Sequence, residues 1–80
     1  MPKLEHKLHI ISRLHVLRAE RRLSQEDLAR AIGVTRGTII AIEGGEYNPS
    51  LELAFRLARY FATDIHSIFY VGEGTNEKGK

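Results

Sequence analysis

The 80-residue chain contains no cysteine, so neither a disulfide framework nor a thiolate zinc site can be built from it. No run of about 18 apolar residues occurs, which excludes a membrane-spanning helix. The opening residues, MPKLEHKLHII, are mixed and charged and lack the long apolar stretch of a secretory signal. Net charge is scarce too: the formal value of +2 is too small to argue by itself for a polyanionic partner. These absences fit a reducing, cytoplasmic setting. The length suits one small domain with a modest core.

What charge there is lies unevenly. From Met1 to Arg36 eight basic residues stand against four acids, a balance of +4, and from Gly37 onward four stand against six, a balance of −2. A basic N-terminal half is either an ordinary solvated helix face or the footprint of attraction to phosphates. The segment Gln25 to Gly44, QEDLARAIGVTRGTIIAIEG, holds two short helix patterns joined at Gly33. Leu28, Ala29 and Ile32 supply apolar positions before the join, and Val34, Ile39 and Ile42 after it. Two helices crossing steeply over a tight turn need a small residue at the crossing, which Ala29 provides. They also need a residue tolerant of positive φ at the turn, which Gly33 provides. This is the pattern of a helix-turn-helix, whose second helix is normally laid into the DNA major groove.

Flanking signals complete an all-α reading. A first helix is expected from about Ser12 to Arg22, with Leu14, Val16 and Leu17 on its apolar stripe. Ser24 and Asp27 have the spacing of a capping box, and Thr35 and Ser50 are N-cap candidates for the third and fourth helices. Gly44-Gly45 is a stop signal. Leu51, Ala54, Phe55, Leu57, Ala58 and Phe61 mark a strongly apolar fourth helix from about Leu51 to Phe61. Asp64 is expected to cap a short fifth helix carrying Ile65 and Ile68. A β-prone Phe69-Tyr70-Val71 follows, then a polar tail. The expected division is an N-terminal arm or strand over 1–11, the binding and dimerisation domain over 12–71, and a flexible tail over 72–80.

Arg18-Ala-Glu-Arg-Arg-Leu-Ser-Gln, Leu28-Ala29, Gly33-Val34-Thr35-Arg36, Ile39, Ile42-Glu43 and Tyr47-Asn48-Pro49-Ser50-Leu51-Glu52-Leu53-Ala54 together resemble the Cro/phage-repressor type of helix-turn-helix, the XRE family. The resemblance is closest to small stand-alone bacterial regulators with an NPSLxxA segment and an ending like Ile68-Phe69-Tyr70. It covers roughly Ser12 to Val71. It implies a five-helix bundle of the lambda-repressor type that binds a palindromic operator in double-stranded DNA as a homodimer, with no cofactor. It also implies a small antiparallel β-ribbon, in which Lys7 to Ile11 pairs with Phe69 to Val71, unless Leu8-His9-Ile10 extends the first helix.

Candidate roles follow residue by residue. Gln25, at a helix N-terminus, is either a phosphate-gripping amide, as the family's matching glutamine is, or a solvated polar residue. Thr35, Arg36, Gly37 and Thr38 open the recognition helix. The planar fork of Arg36 suits guanine O6 and N7, with a backbone phosphate as the alternative, and Thr38 suits phosphate. Ile40 and Ala41 point outward, either to meet thymine methyl groups or as ordinary surface apolar residues. Tyr47 and Asn48, in the following loop, complete the DNA-facing set. The resemblance makes Arg18 and Glu43 a structural salt bridge. Ile65, Ile68, Phe69 and Val71 are the expected dimer interface, with core packing as their other role.

Several positions depart from the family pattern. Gly37 stands where glutamine is common, Gly44 where asparagine is, Glu46 where lysine is, and Arg22 where glycine is. Nothing points to an enzyme: there is no nucleophile–histidine dyad, phosphate-binding glycine loop or carboxylate cluster. His6-x-x-His9 has helical spacing but no third ligand, so no metal site is expected. The rival reading is a protein-binding module such as an antitoxin, against which stands a tail, Gly72 to Lys80, with no apolar residue to bury. A controller-type activator of the same architecture is the other alternative.

Overall fold

The computed structural model describes residues 8–72. The expected tail beyond Gly72, His6 of the HxxH pair and most of the expected arm lie outside the described residues. The elements are β1 (Ile10–Ser12), α1 (Leu14–Glu20), α2 (Gln25–Ile32), α3 (Arg36–Glu43), α4 (Leu51–Tyr60), one 3-10 turn (Ile65–Ser67) and β2 (Phe69–Val71). No helix among them is long and apolar enough to cross a membrane.

Local chemistry explains where the helices begin. Ser24 accepts from the Asp27 backbone N–H at 2.9 Å, and Asp27 accepts from the Ser24 N–H at 3.3 Å, a reciprocal capping box. Thr35 caps α3 by accepting from the Thr38 N–H, and Ser50 caps α4 by accepting from the Leu53 N–H. The helices also end alike. Leu23, Val34, Glu46 and Thr63 each donate their N–H to a carbonyl five residues earlier, on Arg18, Ala29, Ala41 and Ala58. The residue before each donor takes positive φ: Arg22 at 56°, Gly33 at 90°, Gly45 at 78° and Ala62 at 55°. Glycine meets this at no steric cost. Arg22 and Ala62 do not, so two of the four chain reversals hold a strained backbone.

Leu14, Leu28, Ile39, Ile42, Leu57 and Ile68 are completely buried and come from every helix and the segment leading to β2. Their burial, worth about 1.5–3 kcal/mol per large side chain, holds the bundle together. The ribbon pairs β1 with β2 antiparallel, with Ile10 opposite Val71, Ile11 opposite Tyr70 and Ser12 opposite Phe69.

Three expectations are corrected. Ser12 belongs to the ribbon and α1 starts at Leu14, because Ser12 Oγ accepts from the Leu14 N–H and Arg13 donates its N–H to the Ile68 carbonyl at 2.7 Å. The strand therefore straddles the expected 11/12 boundary. The fifth helix is a single 3-10 turn: Asp64 Oδ1 accepts from both the N–H and the hydroxyl of Ser67, and the chain must straighten into β2 two residues later. Phe55 and Leu51, placed on the apolar stripe of α4, are largely exposed, because the core side of α4 is made by Leu53, Ala54, Leu57 and Ala58.

Candidate nucleic-acid interface

The α2–turn–α3 pair carries the site. Ala29, only 3 % exposed, lies where the two helices meet, and Gly33 makes the turn between them. On α3, Ile39 and Ile42 face the core while Arg36, Gly37 and Ile40 face outward, with Thr38 and Ala41 half-buried. Ile40 is 42 % exposed and Tyr47, in the loop after α3, is 44 % exposed; Thr35 and Asn48 are exposed beside them. Most of the DNA-facing candidates thus form a solvent-open strip along α3 and its two ends. Arg36 makes no ion pair among the described residues, leaving its guanidinium available to a ligand.

Thr35 and Thr38 are partly committed elsewhere. The Thr35 hydroxyl caps α3 and lies 3.0 Å from the Thr38 hydroxyl, so the two hydroxyls share a hydrogen bond at the helix start. A Cβ added at Gly37 would meet only Thr35 Oγ1, at 3.7 Å, an ordinary contact. The fold itself therefore does not require glycine there.

Behind this strip a polar network locks α3 to the scaffold. Arg18 Nε donates to Glu43 Oε2 at 2.8 Å and Nη2 to Oε1 at 3.1 Å, a bidentate pair. A third Arg18 donor, Nη1, meets the Leu23 carbonyl at 2.9 Å, tying the pair to the link into α2. Burial pushes the Glu43 carboxyl up, but hydrogen bonds from Arg18 and Gln25, with the charges of Arg18 and His15, outweigh it and hold the carboxyl below its ordinary value of 4.5. The same bond with Glu43 raises Arg18 further above its already high value.

Gln25, assigned from sequence to phosphate, is half-buried, and its Nε2 donates to Glu43 Oε1 at 3.0 Å. One amide hydrogen is thus spent inside the protein, and the second remains for an outside acceptor. The expected dimer set is divided. Ile68 is completely buried and Phe69 only 9 % exposed, so both are core residues of the single chain, whereas Val71 is 48 % exposed and Ile65 is half-buried. Both belong to the buried cluster of the single chain, Ile68 at the end of the 3-10 turn and Phe69 as the one buried residue of β2.

Sequence reasoning missed Arg21 and Arg56, which clamp helix ends. Arg21 donates to the Tyr60 and Phe61 carbonyls at 3.1 and 3.2 Å and lies over both rings; Arg56 donates to the Ile32 carbonyl at 3.2 Å. Basic residues near helix C-termini are the general signal, but their partners are 24 to 40 residues away.

The helix-turn-helix family model matches residues 14–68. An uncharacterized HTH-type transcriptional regulator of Methanocaldococcus jannaschii is 53 % identical over 58 residues, which are 72 % of this chain and 88 % of that protein. The cryptic phage CTXphi transcriptional repressor RstR of Vibrio cholerae is 41 % identical over 54 residues, 68 % of this chain and 49 % of the repressor. Among solved structures, the transcriptional regulator VanUg superposes with a TM-score of 0.72 at 20 % identity, covering 90 % of this chain and 97 % of VanUg, a likeness of fold.

Proposed function

The chain belongs to the helix-turn-helix family of transcriptional regulators, and from that premise we propose that it represses transcription as a homodimer bound to a palindromic operator. The observation that carries the reading is the division of α3: Ile39 and Ile42 are consumed by the core, while Arg36, Gly37 and Ile40 lie on the open face. A helix held this way presents its first turn to the major groove, with Arg36 as guanine reader and Ile40 and Ala41 as contacts for thymine methyl groups. Thr35, Thr38, Tyr47, Asn48 and the remaining Gln25 amide hydrogen supply phosphate contacts that set register. Arg18 and Glu43 fix the angle of α3 without touching DNA. One such helix covers few base pairs, so specificity calls for two half-sites about one helical turn apart. Action on chromosomal DNA in the cytoplasm accords with this reading.

Selection of bound sequences from a random duplex library at about 0.15 M salt tests it. The expected result is an enriched palindrome whose half-sites contain guanine and thymine, with weaker binding when uracil replaces thymine. Recovery of no motif by folded protein, with only salt-sensitive binding, would refute sequence-specific regulation and favour a protein partner.

A further inference from the structure

The arginines of this chain divide by what holds them. Arg18 is bonded to Glu43, Arg21 to the Tyr60 and Phe61 carbonyls, Arg30 to Glu26, and Arg56 to Glu52 and the Ile32 carbonyl. Each of these guanidiniums is spent on the fold. Arg22 is exposed and makes no ion pair and no side-chain hydrogen bond among the described residues.

Its backbone sets it apart as well. Arg22 holds φ at 56°, in the left-handed region that L side chains enter at a cost, while its N–H donates to the Ala19 carbonyl at 3.0 Å. Glycine makes the corresponding turns at Gly33 and Gly45 and would serve here without strain. Ala62 carries the same strain with a methyl group, so strain alone assigns nothing. What distinguishes Arg22 is a free charge at a particular place.

That place is the entry to the helix-turn-helix. The Leu23 carbonyl accepts from Arg18 Nη1 at 2.9 Å, Arg18 holds Glu43, and Glu43 holds Gln25. The link between α1 and α2 is thus fixed to the network that orients the Gln25 amide. Arg22 stands three residues before Gln25, a span of at most about 11 Å. Successive phosphates of one DNA strand rise only about 3.4 Å along the duplex. With the start of α2 on one phosphate, a neighbouring phosphate lies within reach of a side chain as long as arginine. The carboxylates nearest in the chain do not neutralise it. Glu26 and Asp27 pair with Arg30, and Glu20 makes no ion pair among the described residues.

We infer that Arg22 contacts a DNA phosphate, carrying the footprint of the protein one phosphate beyond the one met by Gln25. The ligand is the sugar-phosphate backbone of duplex DNA, and the contact itself reads no sequence. The inference rests on the DNA binding of the proposed function and adds to it a residue where the family pattern has glycine. Glycine at this turn would suit the fold, and arginine suits the ligand.

The test is fluorescence anisotropy of the full chain on a labelled random-sequence duplex and on the selected operator, from about 0.05 to 0.2 M salt, with a thermal melt of each variant. Arg22→Gly should melt no lower than wild type, since it relieves the strain. It should nevertheless bind both duplexes about three- to ten-fold more weakly, and its log–log salt slope should fall by about 0.9 for each copy on the DNA. Arg22→Asn, also tolerant of left-handed φ, should repeat the loss, and Arg22→Lys should retain affinity and slope. Arg59→Gln removes the same charge from an exposed position on α4 and should change neither. Wild-type affinity and slope in Arg22→Gly, or an equal loss in Arg59→Gln, overturns the contact and leaves DNA binding standing. A loss confined to the operator at constant slope overturns it too, by making Arg22 a reader of bases. A wild type that binds neither duplex at about 0.05 M salt overturns the DNA-binding reading itself.

Discussion

Gln25 and Glu43 are joined by a 3.0 Å hydrogen bond, from the first residue of α2 to the last residue of α3. The bond makes the entry to the helix-turn-helix and the end of the recognition helix one unit, with Arg18 of α1 closing the network from the other side. A residue that faces DNA in the proposed function is thereby oriented by one that does not.

Removal of the shared carboxylate should be felt throughout this unit. Glu43→Ala leaves Arg18, whose side chain is 20 % exposed, without its charged partner, and is expected to destabilise the fold by about 2 kcal/mol. Glu43→Gln retains an acceptor and should cost less. Chemical denaturation of the two variants measures the difference. Equal stability of Glu43→Ala and wild type would show that the network is ornamental.

The same carboxylate predicts an acid dependence. Its folded-state value lies below the ordinary 4.5, so the unfolded chain takes up the proton first as pH falls. The contribution of Glu43 is fully present above about pH 4.5 and is lost as pH drops through the depressed folded value. Asp27, held below its ordinary 3.8 by its bonds with Ser24, acts in the same direction at lower pH. Thermal melts from pH 7 to pH 3 should show wild-type stability falling below about pH 4.5, and Glu43→Gln should show a shallower fall.

Base reading by α3 separates from phosphate binding by its signature. Arg36→Ala should cost about 1–3 kcal/mol on the selected operator and relax discrimination at one guanine position. Its loss should scarcely alter folding, since the side chain is exposed and makes no ion pair among the described residues. Titration of operator variants checks this. A uniform loss across all sequences, with a reduced salt slope, would reassign Arg36 to the backbone.

Two substitutions of opposite kind test the backbone argument. Gly37 sits inside α3 with room for a Cβ, so Gly37→Ala should stabilise the free protein by about 1 kcal/mol, roughly 4–8 °C in melting temperature. Ala62 holds a left-handed φ of 55° after α4, so Ala62→Gly should also stabilise, by about 0.5–1 kcal/mol. If Gly37→Ala stabilises the fold yet weakens operator binding, glycine is there for close approach of DNA.

Much of this structure was legible in the chain because its signals are local. Ser24 with Asp27, Thr35, Ser50 and Asp64 each cap within three residues, and Gly33 turns the backbone where only its own φ matters. The Arg18–Glu43 pair came from resemblance, not from spacing, since the two are 25 residues apart. Phe55 shows the opposite case. Its position on a helical period is compatible with the core, and only the placement of α2 and the 3-10 turn against α4 shows that Leu53, Ala54, Leu57 and Ala58 fill it.

By itself, the sequence determined the helix-turn-helix: its caps, its glycine turn, its small crossing residue and the outward Arg36 and Ile40 of α3, consequences of local capping and of the helical period, whereas Ala41, expected outward, is half-buried. Tertiary structure alone decided the rest. It drew Ser12 into a ribbon with Phe69, reduced the fifth helix to one turn, consumed Ile68 and Phe69 in the core and left Leu51 and Phe55 in solvent. The physical reason is that burial is competitive: the interior of so small a domain has room for only some of its apolar side chains, and which ones enter depends on contacts distant in the chain.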